Sequence, residues 1–164
     1  MTLIVETGSG ASDSESYISV ADATTRHTAF GNTAWTGSDA VKEAALRRAT
    51  AHIEQAYRGR FIGTRLTRDQ ALSWPRYGVS VDGYDVPSTI VPAELANACA
   101  DLAVRALTET LAPDQTRGVL RKKIGPLETE YDPNSPQAKR FTAIDRMLAP
   151  YLTGSGVMVQ VVRT

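Results

Sequence analysis

Hydrophobic and polar positions along this chain fall into a mainly helical pattern, broken by two short β-prone stretches. Ala21 to Phe30 reads as a short helix, with Ser19 as N-cap and Gly31-Asn32 as its stop. A longer helix follows. Thr36-Gly37-Ser38-Asp39 offers a capping-box start, Val41, Ala45, Ala49, Ile53 and Ala56/Tyr57 recur at near-helical spacing, and Gly59 ends it. About twenty residues make a helix of ~30 Å. From Arg58 to Val91 the periodicity fades among Gly63, Pro75, Gly78, Gly83 and Pro87. Thr67 to Leu72 has room for one or two helical turns, and Trp74 before Pro75 is expected to be extended. A third helix begins near Pro92, with Leu95, Ala98/Cys99, Leu102, Ala106 and Leu107 on its apolar face, and Pro113 limits it. Leu127, Thr129 and Tyr131 alternate with Glu128 and Glu130, the pattern of a half-buried strand within 121–132. Gln137 to Leu152 forms a fourth helix with Phe141, Ile144, Leu148 and Tyr151 on one stripe, bent or ended by Pro150. Gly154-Ser155-Gly156 then joins a β-prone tail, Val157 to Val162.

The expected fold class is mainly α: a small helical bundle with a short β excursion and flexible N- and C-terminal arms. Residues 1–164 form one domain, with an arm over 1–19, a helical core over 20–152 and a tail over 153–164. The arm contains a turn-rich run from Gly8 to Ser14. A lone strand leaves its backbone unsatisfied, so the stretch at Leu127–Tyr131 and the tail are expected to pair with each other or with a neighbouring subunit.

Composition narrows the chemistry. With 164 residues the chain suits one domain, and 42% hydrophobic with 22% charged residues is ordinary for a globular protein. A single cysteine, Cys99, excludes an intramolecular disulfide and a cysteine-based zinc site; it reads as a small buried apolar residue. His52 reads as a packed or surface helical residue. No run of ~20 apolar residues and no secretory leader is visible, so no membrane partner and synthesis in a cytoplasm are expected. There is no phosphate-binding glycine loop, no nucleophile elbow and no His-Glu-x-x-His. Glu128 and Glu130 read as the solvent face of a strand. The chain is therefore expected not to be an enzyme, and to use no metal or cofactor.

Charge changes the picture more. Eighteen basic and eighteen acidic residues cancel, which argues against binding nucleic acid through global charge. The charges are nonetheless segregated. Residues 1–40 carry Glu6, Asp13, Glu15, Asp22 and Asp39 against Arg26, whereas 58–76 carry Arg58, Arg60, Arg65, Arg68 and Arg76 against Asp69. Arg117, Arg121, Lys122 and Lys123 form a second basic group. The Arg-rich middle, with Phe61, Trp74 and Tyr77, fits a single-stranded nucleic-acid platform in which arginines meet phosphates and Trp74 or Phe61 stacks on bases. It equally fits a basic face that meets the acidic face of the next subunit, or a solvated loop. Trp74-Pro75-Arg76 is either an interface anchor or a core tryptophan followed by an arginine that caps a helix C-terminus.

Gln70-Ala-Leu-Ser-Trp-Pro-Arg-Tyr-Gly78, Ile90-Val-Pro-Ala-Glu-Leu95 and the helix from Ala98 to Leu107 resemble the head–tail connector, or adaptor, proteins of the tailed-phage neck. Leu3-Ile-Val-Glu-Thr-Gly8, Ser16-Tyr-Ile-Ser19, Asn32-Thr-Ala-Trp35, Lys42 to Ala49, Lys123 to Tyr131 and Gly154 to Arg163 are similar to one subgroup. That subgroup is often labelled "putative DnaT-like single-stranded-DNA-binding protein". The resemblance implies a structural virion protein, a dodecameric ring below the portal that extends the DNA channel. Its implied partners are copies of itself, the portal protein, the next neck or tail protein, and packaged duplex DNA sliding past without sequence-specific binding. The implied location is the virion neck, reached from the host cytoplasm. The interface candidates are Trp74, Pro75, Arg76, Leu127, Tyr131, Val157, Val159, Val161 and Arg163. The alternative is a single-stranded-DNA-binding phage replication protein, with Arg58, Arg60, Arg65 and Arg68 as DNA contacts.

Overall fold

A computed structural model describes residues 2–112, 121–124, 127–130 and 140–154. It is mainly α. Helices α1 (Val20–Ala29), α2 (Asp39–Tyr57), α3 (Ala93–Ala106) and α4 (Thr142–Leu148) build the core. Three two-stranded antiparallel pairs accompany them: β1 (Thr64–Arg65) with β2 (Arg76–Tyr77), β3 (Ser80–Val81) with β4 (Tyr84–Asp85), and β5 (Arg121–Ile124) with β6 (Leu127–Glu130).

The helices begin where local chemistry allows. Ser19 caps α1, its hydroxyl accepting from the Asp22 amide at 3.0 Å and donating to the Asp22 carboxylate at 2.6 Å. Ser38 holds the N-cap position of α2 without a side-chain bond, so the expected capping box from Thr36 does not form. Pro92 is the N-cap of α3 rather than its first helical residue. The fourth helix is shorter than its apolar stripe suggests. Phe141 has φ −99° and ψ 76° while its ring is buried, so α4 starts at Thr142 and passes into a 3-10 turn at Ala149–Tyr151.

The core lies where α2 and α4 pack on α3. Ala45, Leu46, Ala49, Thr50, Ile53 and Tyr57 of α2 face Leu95, Ala98, Cys99, Leu102, Ala103 and Ala106 of α3, all buried. Each buried Leu or Ile contributes about 1.5–3 kcal/mol, and the alanines leave room for the helix backbones to come near. Val41, expected on this face, is 48% exposed. Cys99 is fully buried, 3.2 Å from the Thr50 hydroxyl, as a small core residue.

Three expectations about irregular segments change. The N-terminal segment over 2–19 is held rather than free. The buried Glu6 carboxylate accepts from the amides of Gly8 (2.8 Å), Gly10 (3.0 Å) and Ala11 (3.0 Å) and from the Ser14 hydroxyl (3.0 Å). Gly8, at φ +106°, lies so near the Thr89 carbonyl that a Cβ would come within 1.9 Å of it. Thr67 to Leu72 forms no helix; it is a loop organised by the buried Gln70 side chain, which accepts from the Thr67 amide and donates to the Leu72 and Pro75 carbonyls. The strand at Leu127 pairs within the chain, with β5, a partner that the sequence did not suggest. Its register sets Arg121 opposite Glu130 and Lys123 opposite Glu128.

Candidate nucleic-acid interface

The basic segment leaves the C-terminal end of α2, where helix carbonyls favour cations. Arg58 and Arg60 lie in a 3-10 turn that continues α2, and both are exposed. The Arg60 guanidinium lies 5.9 Å from the Tyr57 ring centre. This turn is tied to the far end of the chain: the Ile62 amide donates to the Tyr151 carbonyl (3.0 Å) and the Thr153 amide to the Arg60 carbonyl (2.7 Å). Arg68 is exposed on the loop that Gln70 holds.

Arg76 and Arg65 do something else. They are cross-strand partners in the β1–β2 pair. Arg76 is 8% exposed, and its guanidinium donates to the carbonyls of Ile62 (2.7 Å), Gly63 (2.7 Å), Ser73 (3.2 Å) and Phe61 (3.3 Å). Burial lowers its pKa, as does the neighbouring Arg65. It is a clamp that satisfies the carbonyls just beyond the α2 turn, close to the capping role raised from the sequence. The half-buried Arg65 donates to the Gln70 carbonyl. Of the four sequence-predicted DNA contacts, Arg58, Arg60 and Arg68 therefore remain available, and Arg65 is drawn inward.

The predicted stacking residues are not available. Trp74 is fully buried and packs edge-on against Phe61 (6.0 Å between centres) and Tyr151 (5.6 Å). Phe61 is buried as well. The Trp74-Pro75 peptide is cis. With Pro75 also buried, Trp74-Pro75-Arg76 is a core feature and not an interface anchor. Among the other interface candidates, Leu127 opens β6, and Tyr131, Val157, Val159, Val161 and Arg163 lie outside the described residues.

The electrostatics set this segment apart by how many of its arginines lack a carboxylate partner, although Arg48 and Arg146 elsewhere among the described residues lack one too. Arg26 pairs with Asp101 (2.9 Å), Arg47 with Glu15 (2.8 Å) and Glu43 (3.4 Å), and Arg140 with Asp145 (3.5 Å). Among the described residues, none of Arg58, Arg60, Arg65, Arg68 and Arg76 has a carboxylate partner. Their positive charge is left for solvent or a ligand. Pairing also quiets much of the acidic N-terminal segment, since Glu15 meets Arg47 and Glu6 is consumed internally.

Beneath the segment, Glu54 gathers three donors. Its carboxylate accepts from the Tyr17 hydroxyl, the Ser73 amide (3.1 Å) and the Ser73 hydroxyl (2.7 Å). Burial, then the Glu54 charge, pushes the Tyr17 hydroxyl well above the usual range for tyrosine. This network was invisible in the sequence, because its members are 19 to 56 residues apart. A cavity of ~220 Å³ lies elsewhere, between α2 and the loop beyond α3, lined by Arg48, His52, Gln55 and Leu111. His52 packs edge-on against Phe141 at 5.3 Å. Among the described residues no cluster of three or more His, Cys, Asp or Glu is placed to hold a metal ion, and no helix is long and apolar enough to cross a membrane.

The family comparison bears on the two functional readings of the chain. A family model described as "Putative DnaT-like ssDNA binding protein" matches residues 1–164. The chain belongs to that family. The match overturns the head–tail connector reading and, with it, the connector and portal-binding assignment; it favours the alternative, single-stranded DNA binding. The burial of Trp74, Pro75 and Arg76 removes the most specific surface that the connector reading had invoked. No curated relative and no solved structure matches the chain.

Proposed function

We propose that this chain binds single-stranded DNA, with Arg58, Arg60 and Arg68 as its phosphate contacts. The observation that carries the reading is the concentration of five arginines without a carboxylate partner over 58–76, three of them exposed, whereas Arg26, Arg47 and Arg140 are ion-paired and the other exposed unpaired arginines of the described residues, Arg48 and Arg146, stand apart from one another in the sequence. A surface guanidinium that is not neutralised by the protein is free to displace the counterions of a phosphate backbone. The family description agrees with this assignment. Arg65 and Arg76 support the site from below, fixing the loop and adding positive potential without touching the strand. The reading is of a binding protein, with no catalytic step.

The test is fluorescence anisotropy of a labelled oligonucleotide at low salt, as a single strand and as a duplex of equal length. The expected result is tighter binding of the single strand, weakened strongly in Arg58→Ala/Arg60→Ala/Arg68→Ala. A triple variant that binds like the wild type would overturn the assignment.

A further inference from the structure

We propose that Tyr77 is the base-stacking residue of this surface, an inference that rests on the single-stranded-DNA reading above. Phosphate contacts alone do not distinguish an unpaired strand from a duplex; an aromatic face that receives an unstacked base does. Both tryptophans are buried, and so is Phe61. Three aromatic rings among the described residues are largely exposed: Phe30 (73%), Tyr77 (53%) and Tyr84 (79%).

Their surroundings select one. The Phe30 ring is already covered by the Arg26 guanidinium at 4.7 Å, and that arginine is held by Asp101. Tyr84 stands between two exposed carboxylates, Asp82 and Asp85, which would repel a phosphate backbone. Tyr77 has neither obstacle. No acidic residue occurs between Gln70 and Val81. Among the described residues its ring has no aromatic or cationic partner.

The backbone presents Tyr77 outward for a physical reason. Successive strand residues point to opposite faces, and Arg76 is pinned inward by four carbonyls, so Tyr77 must point out. Its cross-strand partner is Thr64, also exposed, one residue before Arg65. The next residue, Gly78, has φ +69° and open space where a Cβ would stand. Buried Val79 then anchors the chain, its carbonyl accepting from the Val86 amide at 2.9 Å. The ring thus sits on a fixed backbone, on the strand face opposite the buried Arg76.

The experiment measures anisotropy with a labelled oligo-dT and with an abasic strand of the same length and charge, for the wild type, Tyr77→Ala, Tyr77→Phe and Tyr84→Ala. Tyr77→Ala is expected to weaken oligo-dT binding by about 5- to 150-fold, the range for loss of one stacked base. Tyr77→Phe is expected to keep the affinity, and Tyr84→Ala to leave it unchanged. The abasic strand should bind the wild type and Tyr77→Ala alike. Oligo-dT binding by Tyr77→Ala at wild-type affinity would overturn the inference. An equal loss on both strands would overturn it too, since it would mark a structural rather than a stacking role. Wild-type protein that binds neither strand would overturn the DNA reading itself, and this inference with it.

Discussion

At the residue scale, Arg76 shows how one side chain reads differently in sequence and in space. As part of Trp-Pro-Arg it resembles an exposed anchor; in the fold it closes four backbone carbonyls. Removing it leaves those acceptors buried and unpaired, so Arg76→Ala is expected to lose about 3 kcal/mol or more of stability, read as a lower urea midpoint. An unchanged midpoint would show that the clamp is dispensable. The buried tryptophans carry a spectroscopic consequence: Trp35 and Trp74 are 7% and 0% exposed, so oligo-dT titration should leave tryptophan emission nearly unchanged while anisotropy rises. Strong quenching would mean that the core around Trp74 opens on binding. His27 adds a pH effect. It is buried against Trp35 (5.1 Å between ring centres), with Nε2 donating to the Ala100 carbonyl (3.1 Å), Asn32 beside Nδ1, and the Arg26–Asp101 pair nearby. Burial lowers its pKa, so the folded state takes up a proton less readily than the unfolded chain, whose histidine titrates near ~6.5. Stability is therefore full above that pH and declines as pH falls below it. The urea midpoint should drop between about pH 7.5 and 5.5, and the drop should shrink in His27→Gln.

At the scale of elements, periodicity carries far where contacts are local and repeated. It places α2 and α3 closely, because an amphipathic stripe of Ala, Leu and Ile needs only a facing surface. It fails where one tertiary contact outweighs it. Val41 keeps helical spacing yet stands beyond the reach of α3, and the residues before Thr142 keep an apolar stripe although Phe141 is not helical. The N-terminal segment looks flexible by composition, and a single buried carboxylate, Glu6, holds it. Of the site, the arginine-rich stretch was plain from the sequence; which arginines turn inward was not, since that depends on carbonyls brought together by the α2 turn and the Gln70 loop. The β1–β2 pair that presents Tyr77 depends on Gly63, at φ +71°, where a Cβ would meet the Val79 side chain at 2.5 Å and the Tyr77 carbonyl at 2.6 Å. Gly63→Ala is expected to lower both the melting temperature and oligo-dT affinity, whereas Gly59→Ala, with open space around it, should lower neither. Equal behaviour of the two variants would contradict this account of the pair.

At the scale of the molecule, zero net charge conceals a division of labour. Arg26, Arg47 and Arg140 are spent on ion pairs, while the five arginines of the 58–76 segment are spent on carbonyls or left exposed, a denser set than the separate Arg48 and Arg146, which also lack a carboxylate partner among the described residues. Such a surface binds a polyanion locally without the attraction of a strongly basic protein, so its affinity should be modest and steeply salt-dependent. The most direct measurement is the dependence of the oligo-dT dissociation constant on salt, for the wild type and for Arg58→Ala/Arg60→Ala/Arg68→Ala. Each lost phosphate contact on a single strand flattens the log–log slope by ~0.7. The account predicts a slope shallower by about 2 in the triple variant; an identical slope in both proteins would contradict it.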